Sequence, residues 1–213
     1  MSRVEHSRCM IREMPERLGC IYLKTSLLKR QQTIHMDIIL VIVYIVAVVV
    51  GLLLVAALIM RKEHFVKRSI VINEPVAKVF GFLRLLKNQD KFNKWAKTDP
   101  HRKVTTTGID GTVGYVYAWT GNKDAGEGAK EIIAIVENEK VETEIRFTKP
   151  MKVSARVIME MEALSDSQTK VYLTNAGTLP FPFNLMIPVA EKNFAKDLDE
   201  SLHSLKRILE NDV

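Results

Sequence analysis

Between Asp37 and Arg61 the chain carries no charge at all: residues Ile38–Met60 read IILVIVYIVAVVVGLLLVAALIM. As a helix rising about 1.5 Å per residue, this run extends roughly 34 Å, enough to cross the ~30 Å hydrocarbon core of a bilayer. The core helix of a soluble domain keeps a polar stripe toward water, and here no helical face carries a charge. A cleaved signal peptide has a shorter apolar region ending in small residues, whereas this run continues straight into Arg61 and Lys62. The segment reads as an uncleaved transmembrane anchor over 38–60, and the protein as a single-pass membrane protein. One span argues against a channel or secondary transporter built from this chain alone.

The span separates a basic N-terminal extension, 1–36, from a segment over 61–213 that is long enough for one domain with its own core. Lys24, Lys29 and Arg30 precede the span, while Arg61, Lys62, Lys67 and Arg68 follow it. The positive-inside rule then tilts the soluble domain toward the cytoplasm. Met36 lies directly before Asp37 and the apolar run; translation from Met36 would remove the upstream basic flank and sharpen that bias. On that hypothesis, mass spectrometry of the native protein finds no peptide upstream of Met36. Cys9 and Cys20 are spaced too widely for a metal knuckle. Leu18, Ile21 and Leu28, with the nearby cations, fit a basic amphipathic helix on a lipid surface. A disordered or untranslated extension fits equally well.

Past the anchor the pattern changes to short strands with two helical stretches. Phe65–Asn73 is rich in β-branched residues and reads as a strand, with Asn73 as helix N-cap and Pro75 in the first turn of a helix over 76–85. A second short helix is expected over Gln89–Trp95. Strands follow over Lys103–Thr107, Gly114–Thr120, Lys130–Val136, Val141–Thr148, Val153–Met161 and Thr169–Gly177, separated by glycine-rich or polar turns. Val141, Thr143, Ile145 and Phe147 alternate with Glu142, Glu144, Arg146 and Thr148, the signature of an antiparallel sheet with one buried face. Phe194, Leu198, Leu202, Leu205 and Leu209 recur at steps of three and four, which predicts an amphipathic helix of about twenty residues lying across that sheet. The fold class is α+β, a sheet wrapped round a long C-terminal helix with a cavity between them.

The run RSIVINEPVAKVFGFL, the later GTVGYVYAWTGN followed by GEG, the TKP before a strand, and the closing LDESLHSLKRILE resemble the START-like superfamily. They are most similar to its polyketide cyclase/dehydrase-type (SRPBCC) branch, over nearly all of residues 63–211. The resemblance implies the helix-grip fold, seen also in lipid-transfer domains and plant pollen-allergen proteins. It implies a deep apolar pocket for hydrophobic small molecules, and no common catalytic set.

The sequence offers little classical chemistry. It has no G-x-S-x-G, no P-loop and no H-E-x-x-H. His64, His101 and His203 lack neighbouring ligand types at metal spacing, so neither a metal nor a cofactor is expected. GIDGTVG at 108–114 lies between strands with no helix to follow, which makes it a turn rather than a phosphate loop. Glu127 and Glu131 are solvated strand charges before they are a general acid and base. Tyr115, Tyr117 and Trp119 share one strand face, and together with Phe147, Met159, Phe181, Phe183, Phe194 and Leu198 they are the candidates for lining a cavity. Core packing accounts for the strand aromatics equally well. The apolar loop Leu179–Pro188 (LPFPFNLMIP) is either packed over the cavity or set against a ligand or the bilayer.

From Arg61 onward 24 basic residues face 21 acidic ones, without the basic stripe and stacking aromatics of a nucleic-acid binder. The expected partners are a hydrophobic small molecule or lipid and the membrane itself. The expected function is a membrane-anchored domain that binds such a molecule between sheet and helix, more a binding protein than a catalyst. A cyclase-type enzyme using the same cavity, and an interaction module with a filled interior, are the alternatives.

Overall fold

The computed structural model describes residues 36–211. The expectations for Cys9, Cys20 and an amphipathic helix near Leu18–Leu28 lie outside the described residues. The chain forms two compact units that meet at Val55 and Ala56.

Helix α1 (Met36–Ile59) supplies the described part of the first unit, and its last residues, from Ala56, belong to the second. Its most apolar 18-residue stretch has a mean hydropathy of 3.5 and none of that stretch is buried, so the helix is long and apolar enough to cross a membrane. It starts two residues earlier than the apolar run, at Met36, and ends one residue sooner.

The second unit holds β1 (Glu63–Ile72), α2 (Val76–Leu83), α3 (Leu86–Phe92), a 3-10 turn (Trp95–Thr98), β2 (Lys103–Thr107), β3 (Val116–Thr120), β4 (Glu127–Val136), β5 (Lys140–Lys149), β6 (Val153–Ser165), β7 (Gln168–Thr178), a second 3-10 turn (Phe183–Met186) and α4 (Ile187–Asn211). The seven strands make one antiparallel sheet in the order β1-β7-β6-β5-β4-β3-β2. The period-two pattern sets its register. Val141 pairs with Met159 and Met159 with Leu173, all three buried on the inner face. Leu198, Leu202, Leu205 and Leu209 of α4 complete the same core. This is the α+β helix-grip arrangement.

Three local expectations change. The second short helix spans Leu86–Phe92 rather than Gln89–Trp95, and Trp95 opens a separate 3-10 turn. Asn73 does not cap α2; the helix is preceded by Pro75 in an extended conformation. The Asn73 side chain instead accepts a hydrogen bond from Gln168 Nε2 at 2.8 Å, and its backbone N–H donates to Glu210 at 2.7 Å. Helix α4 has 25 residues rather than about twenty, because Ile187 and Pro188 are already helical. Proline suits a first turn, where its missing N–H has no intrahelical partner to lose.

The turn between β3 and β4 relies on Gly126, whose φ is +64° and whose missing Cβ would sit 2.4 Å from the Lys149 carbonyl oxygen. Gly126→Ala is expected to cost about 1–3 kcal/mol through the strained backbone alone, with the clash adding to it. A lowered urea midpoint would register the loss.

Candidate functional site

The space between the sheet and α4 is almost filled. A cavity of about 20 Å³ remains, lined by Gln89, Phe92, Asn93, Trp95, Lys130, Thr143, Ile145, Val157, Met159, Leu173, Leu198 and Ser201. That is room for about one water molecule. The deep pocket implied by the resemblance is therefore closed here: Phe92 of α3 and Trp95 of the 3-10 turn line the small space that remains, together with Met159 and Leu198.

One lining residue is out of keeping with the rest. Lys130 of β4 is only 8% exposed, on the inner face between Gly128 and Ile132, and pairs across strands with Tyr117 and Ile145. Its Nζ lies 3.8 Å from Asp90 Oδ1, an oxygen with no hydrogen-bond partner. The other carboxylate oxygen of Asp90 takes an ion pair from Arg102 at 2.6 Å and a short hydrogen bond from the Tyr117 hydroxyl. Arg102 also donates to Tyr117 at 3.3 Å and to the Ala96 carbonyl. Two cations and one carboxylate thus share a poorly solvated corner of the core. A buried ion pair is seldom better for stability than a well-packed apolar replacement, so the cluster calls for a role beyond packing.

Its geometry is built from neighbouring elements. Leu85, before α3, has no side chain able to cap that helix. Asp110 from the glycine loop does so instead, accepting from the backbone N–H groups of Leu86 at 2.8 Å and Lys87 at 3.3 Å. In the same helix Gln89 and Asn88 donate to the Leu83 and Phe82 carbonyls, closing the end of α2. Asp90 is therefore held on a short helix fixed at both ends. Beyond it, Lys94 bridges to Asp197 at 2.9 Å and Glu200 at 2.7 Å, which latches the Phe92–Trp95 segment onto α4.

Burial holds the Lys130 amine below the usual lysine range, against the pull of Asp90. Burial raises the Tyr117 hydroxyl above the usual phenol range, as does its hydrogen bond to Asp90, while Arg102 acts the other way. A lysine whose folded pKa is depressed binds fewer protons in the folded state than in the unfolded one. Stability from this group therefore rises with pH between its folded value and the unfolded value of about 10.4, and is lost as pH falls through that window. Above about pH 10 Tyr117 opposes the trend, since the unfolded chain ionises its phenol first. Urea midpoints are expected to rise more steeply with alkaline pH in the wild type than in Lys130→Met, and the difference isolates Lys130 from every other titrating group.

The residues singled out from sequence fall into three places. Met159 and Leu198 line the cavity. Tyr117 belongs to the charged cluster, while Tyr115 and Trp119 are buried in the core beside it. Trp119 donates to the Ala125 carbonyl at 3.1 Å and meets Phe147 edge-on at 5.5 Å. Phe194 is half-buried against His64 and Trp95. Phe181 and Phe183 stand at the surface, 42% and 48% exposed, and do not line the cavity. Glu127 and Glu131 pair with Lys149 and Arg146 and are solvated strand charges. Lys130, Asp90 and Arg102 were not anticipated. For Lys130 the signal was present: alternation along GAKEI places it on the same face as Gly128 and Ile132.

The fold is the helix-grip fold. No family model matches the sequence, and no curated protein matches it. Solved structures share the fold. One is a protein from Mesorhizobium loti, 12% identical, with a TM-score of 0.54 over 70% of this chain and 99% of the other. A protein from Chromobacterium violaceum is 15% identical, with a TM-score of 0.50 and the same coverage of 70% and 99%. Norcoclaurine synthase from Thalictrum flavum, solved in complex with dopamine and hydroxybenzaldehyde, is 8% identical, with a TM-score of 0.54 over 71% of this chain and 88% of the other. At these identities the likeness is one of fold.

Proposed function

We propose that this protein is a membrane-anchored helix-grip domain that takes a small apolar molecule with one oxygen-bearing polar end between its sheet and α4. The observation that carries this reading is Lys130: a buried amine beside a void, with apolar groups around it and its nearest carboxylate oxygen 3.8 Å away. Its N–H donors suit a carboxylate or carbonyl oxygen from a ligand. Phe92, Ile145, Val157, Met159, Leu173 and Leu198 supply the apolar wall, where burial is worth about 25 cal/mol per Å². A protein of this fold holds dopamine and hydroxybenzaldehyde, so the fold admits small-molecule ligands. Anchoring by α1 keeps the domain beside membrane-dissolved ligand and raises its effective concentration there.

Entry requires the Phe92–Trp95 segment to lift from α4, since a cavity of about 20 Å³ is far smaller than the ~300 Å³ or more of a usual ligand site. Lys94 is the latch on that movement. Lys94→Ala is expected to quicken ligand exchange severalfold in stopped-flow measurements, leaving the fold intact. The proposal is tested by titrating the protein with a fluorescent fatty acid. Saturable binding that weakens in Lys130→Met supports it; binding untouched by that change overturns the assigned site.

A second reading, an enzyme of the cyclase/dehydrase type, is favoured by the same residue. An amine that burial makes easier to deprotonate is a candidate base, placed where a folded reactive chain would lie. Turnover lost in Lys130→Met while ligand is still bound would favour it over simple binding.

A further inference from the structure

The segment from Leu179 to Val189 is more exposed than a cover for the core would be. Phe181 and Phe183 are 42% and 48% exposed, and Met186 and Val189 are 58% and 60% exposed. Four large apolar side chains in so short a stretch leave a surface that water does not favour. The segment is nevertheless fixed in place. Asn184, between Phe183 and Met186, is 0% exposed, and its Nδ2 donates to the Ala57 carbonyl at 2.6 Å and the Met60 carbonyl at 3.1 Å. Those carbonyls lie in and just after the last turn of α1, where the helix has no N–H donors of its own left to offer them. The Leu179 N–H donates to the Lys62 carbonyl at 2.8 Å.

We propose that Phe181, Phe183, Met186 and Val189 form a second membrane contact, seated in the headgroup region of the bilayer that α1 crosses. The inference rests on the reading of α1 as a span. Only Arg61 and Lys62 separate Met60 from the start of β1, a reach of at most about 11 Å, and Asn184 ties the apolar segment directly to that junction. Lys62, whose carbonyl accepts from Leu179, and Lys192, three residues past Val189, are exposed, as is Arg61 in its 2.6 Å ion pair with Glu191, and exposed cations suit an anionic lipid surface. An apolar patch that continues the end of an apolar helix and is bordered by cations fits a bilayer interface better than a protein partner.

The test uses the full chain with Cys9 and Cys20 changed to serine and a spin label at Phe183→Cys or, separately, at Met186→Cys. A label at Ser167→Cys, in the turn at the far end of β1, serves as reference. The probe is a vesicle of phosphatidylcholine and phosphatidylglycerol. The expected result is a label at either apolar position that is severalfold more accessible to oxygen than to a water-soluble nickel chelate, with the reverse at Ser167→Cys. Labels at 183 and 186 as open to nickel as the reference, in protein that survives an alkaline wash of the vesicles, would overturn the proposal and leave the anchor standing. Spin–spin broadening between chains at both positions would overturn it in favour of a second copy. Loss of the protein in the wash would overturn the anchor and the proposal together.

Discussion

Asp90→Ala is expected to be among the most destabilising single changes in the domain. It removes the one carboxylate shared by Arg102, Lys130 and the Tyr117 hydroxyl and strands two cations in a poorly solvated corner. Removing one partner of a buried charge pair costs about 3–5 kcal/mol, a large share of the ~5–15 kcal/mol that holds a domain together. Urea denaturation followed by circular dichroism should show the loss. The double variant Asp90→Ala with Lys130→Met should recover part of it, because one of the stranded charges has gone; strictly additive effects would show that the two groups do not interact.

Lys130→Met should separate stability from function. Methionine fills similar volume, carries no charge and suits the apolar wall made by Ile145, Val157 and Met159. Replacing a buried charge in this way is expected to leave stability unchanged or raise it by about 1–4 kcal/mol. Ligand affinity should fall, since a charge-assisted hydrogen bond is worth about 1.5–3 kcal/mol, or roughly 10- to 100-fold in Kd. A variant that is more stable and binds less well is the pattern of a residue kept for function. A variant that is less stable and binds normally would make Lys130 a structural group.

The sequence and the structure agree where a repeating pattern meets a single buried face. Val141, Thr143 and Ile145 alternate cleanly, and the leucines of α4 recur at helical steps, so both elements and the side they bury could be read directly. Tyr117 was visible for the same reason, as one of three aromatics on a strand. Lys130 was overlooked because a lysine within a strand is ordinarily on the wet face; the alternation of GAKEI contradicts that habit. Asp90 and Arg102 had no local signal. They come together only when α3 folds over the inner face, and the cap from Asp110, twenty-four residues after Leu86, is a tertiary contact that no short pattern reveals. Asn73 was misread because its sequence neighbours favour a cap, while Gln168 and Glu210, distant in sequence, claim it first. The closed interior was equally invisible. Periodicity tells which residues face a core and says nothing of how tightly Phe92, Met159 and Leu198 fill it.

The proposed ligand is an apolar molecule held in the opened interior with its polar end at Lys130. Native mass spectrometry of the full chain, released from its own membranes in mild detergent, tests this most directly, with lipid analysis of whatever co-purifies. The expected result is one apolar, oxygen-bearing molecule per chain in the wild type and its loss from Lys130→Met. A wild-type chain recovered without any bound molecule, and with its interior as closed as before, would contradict it.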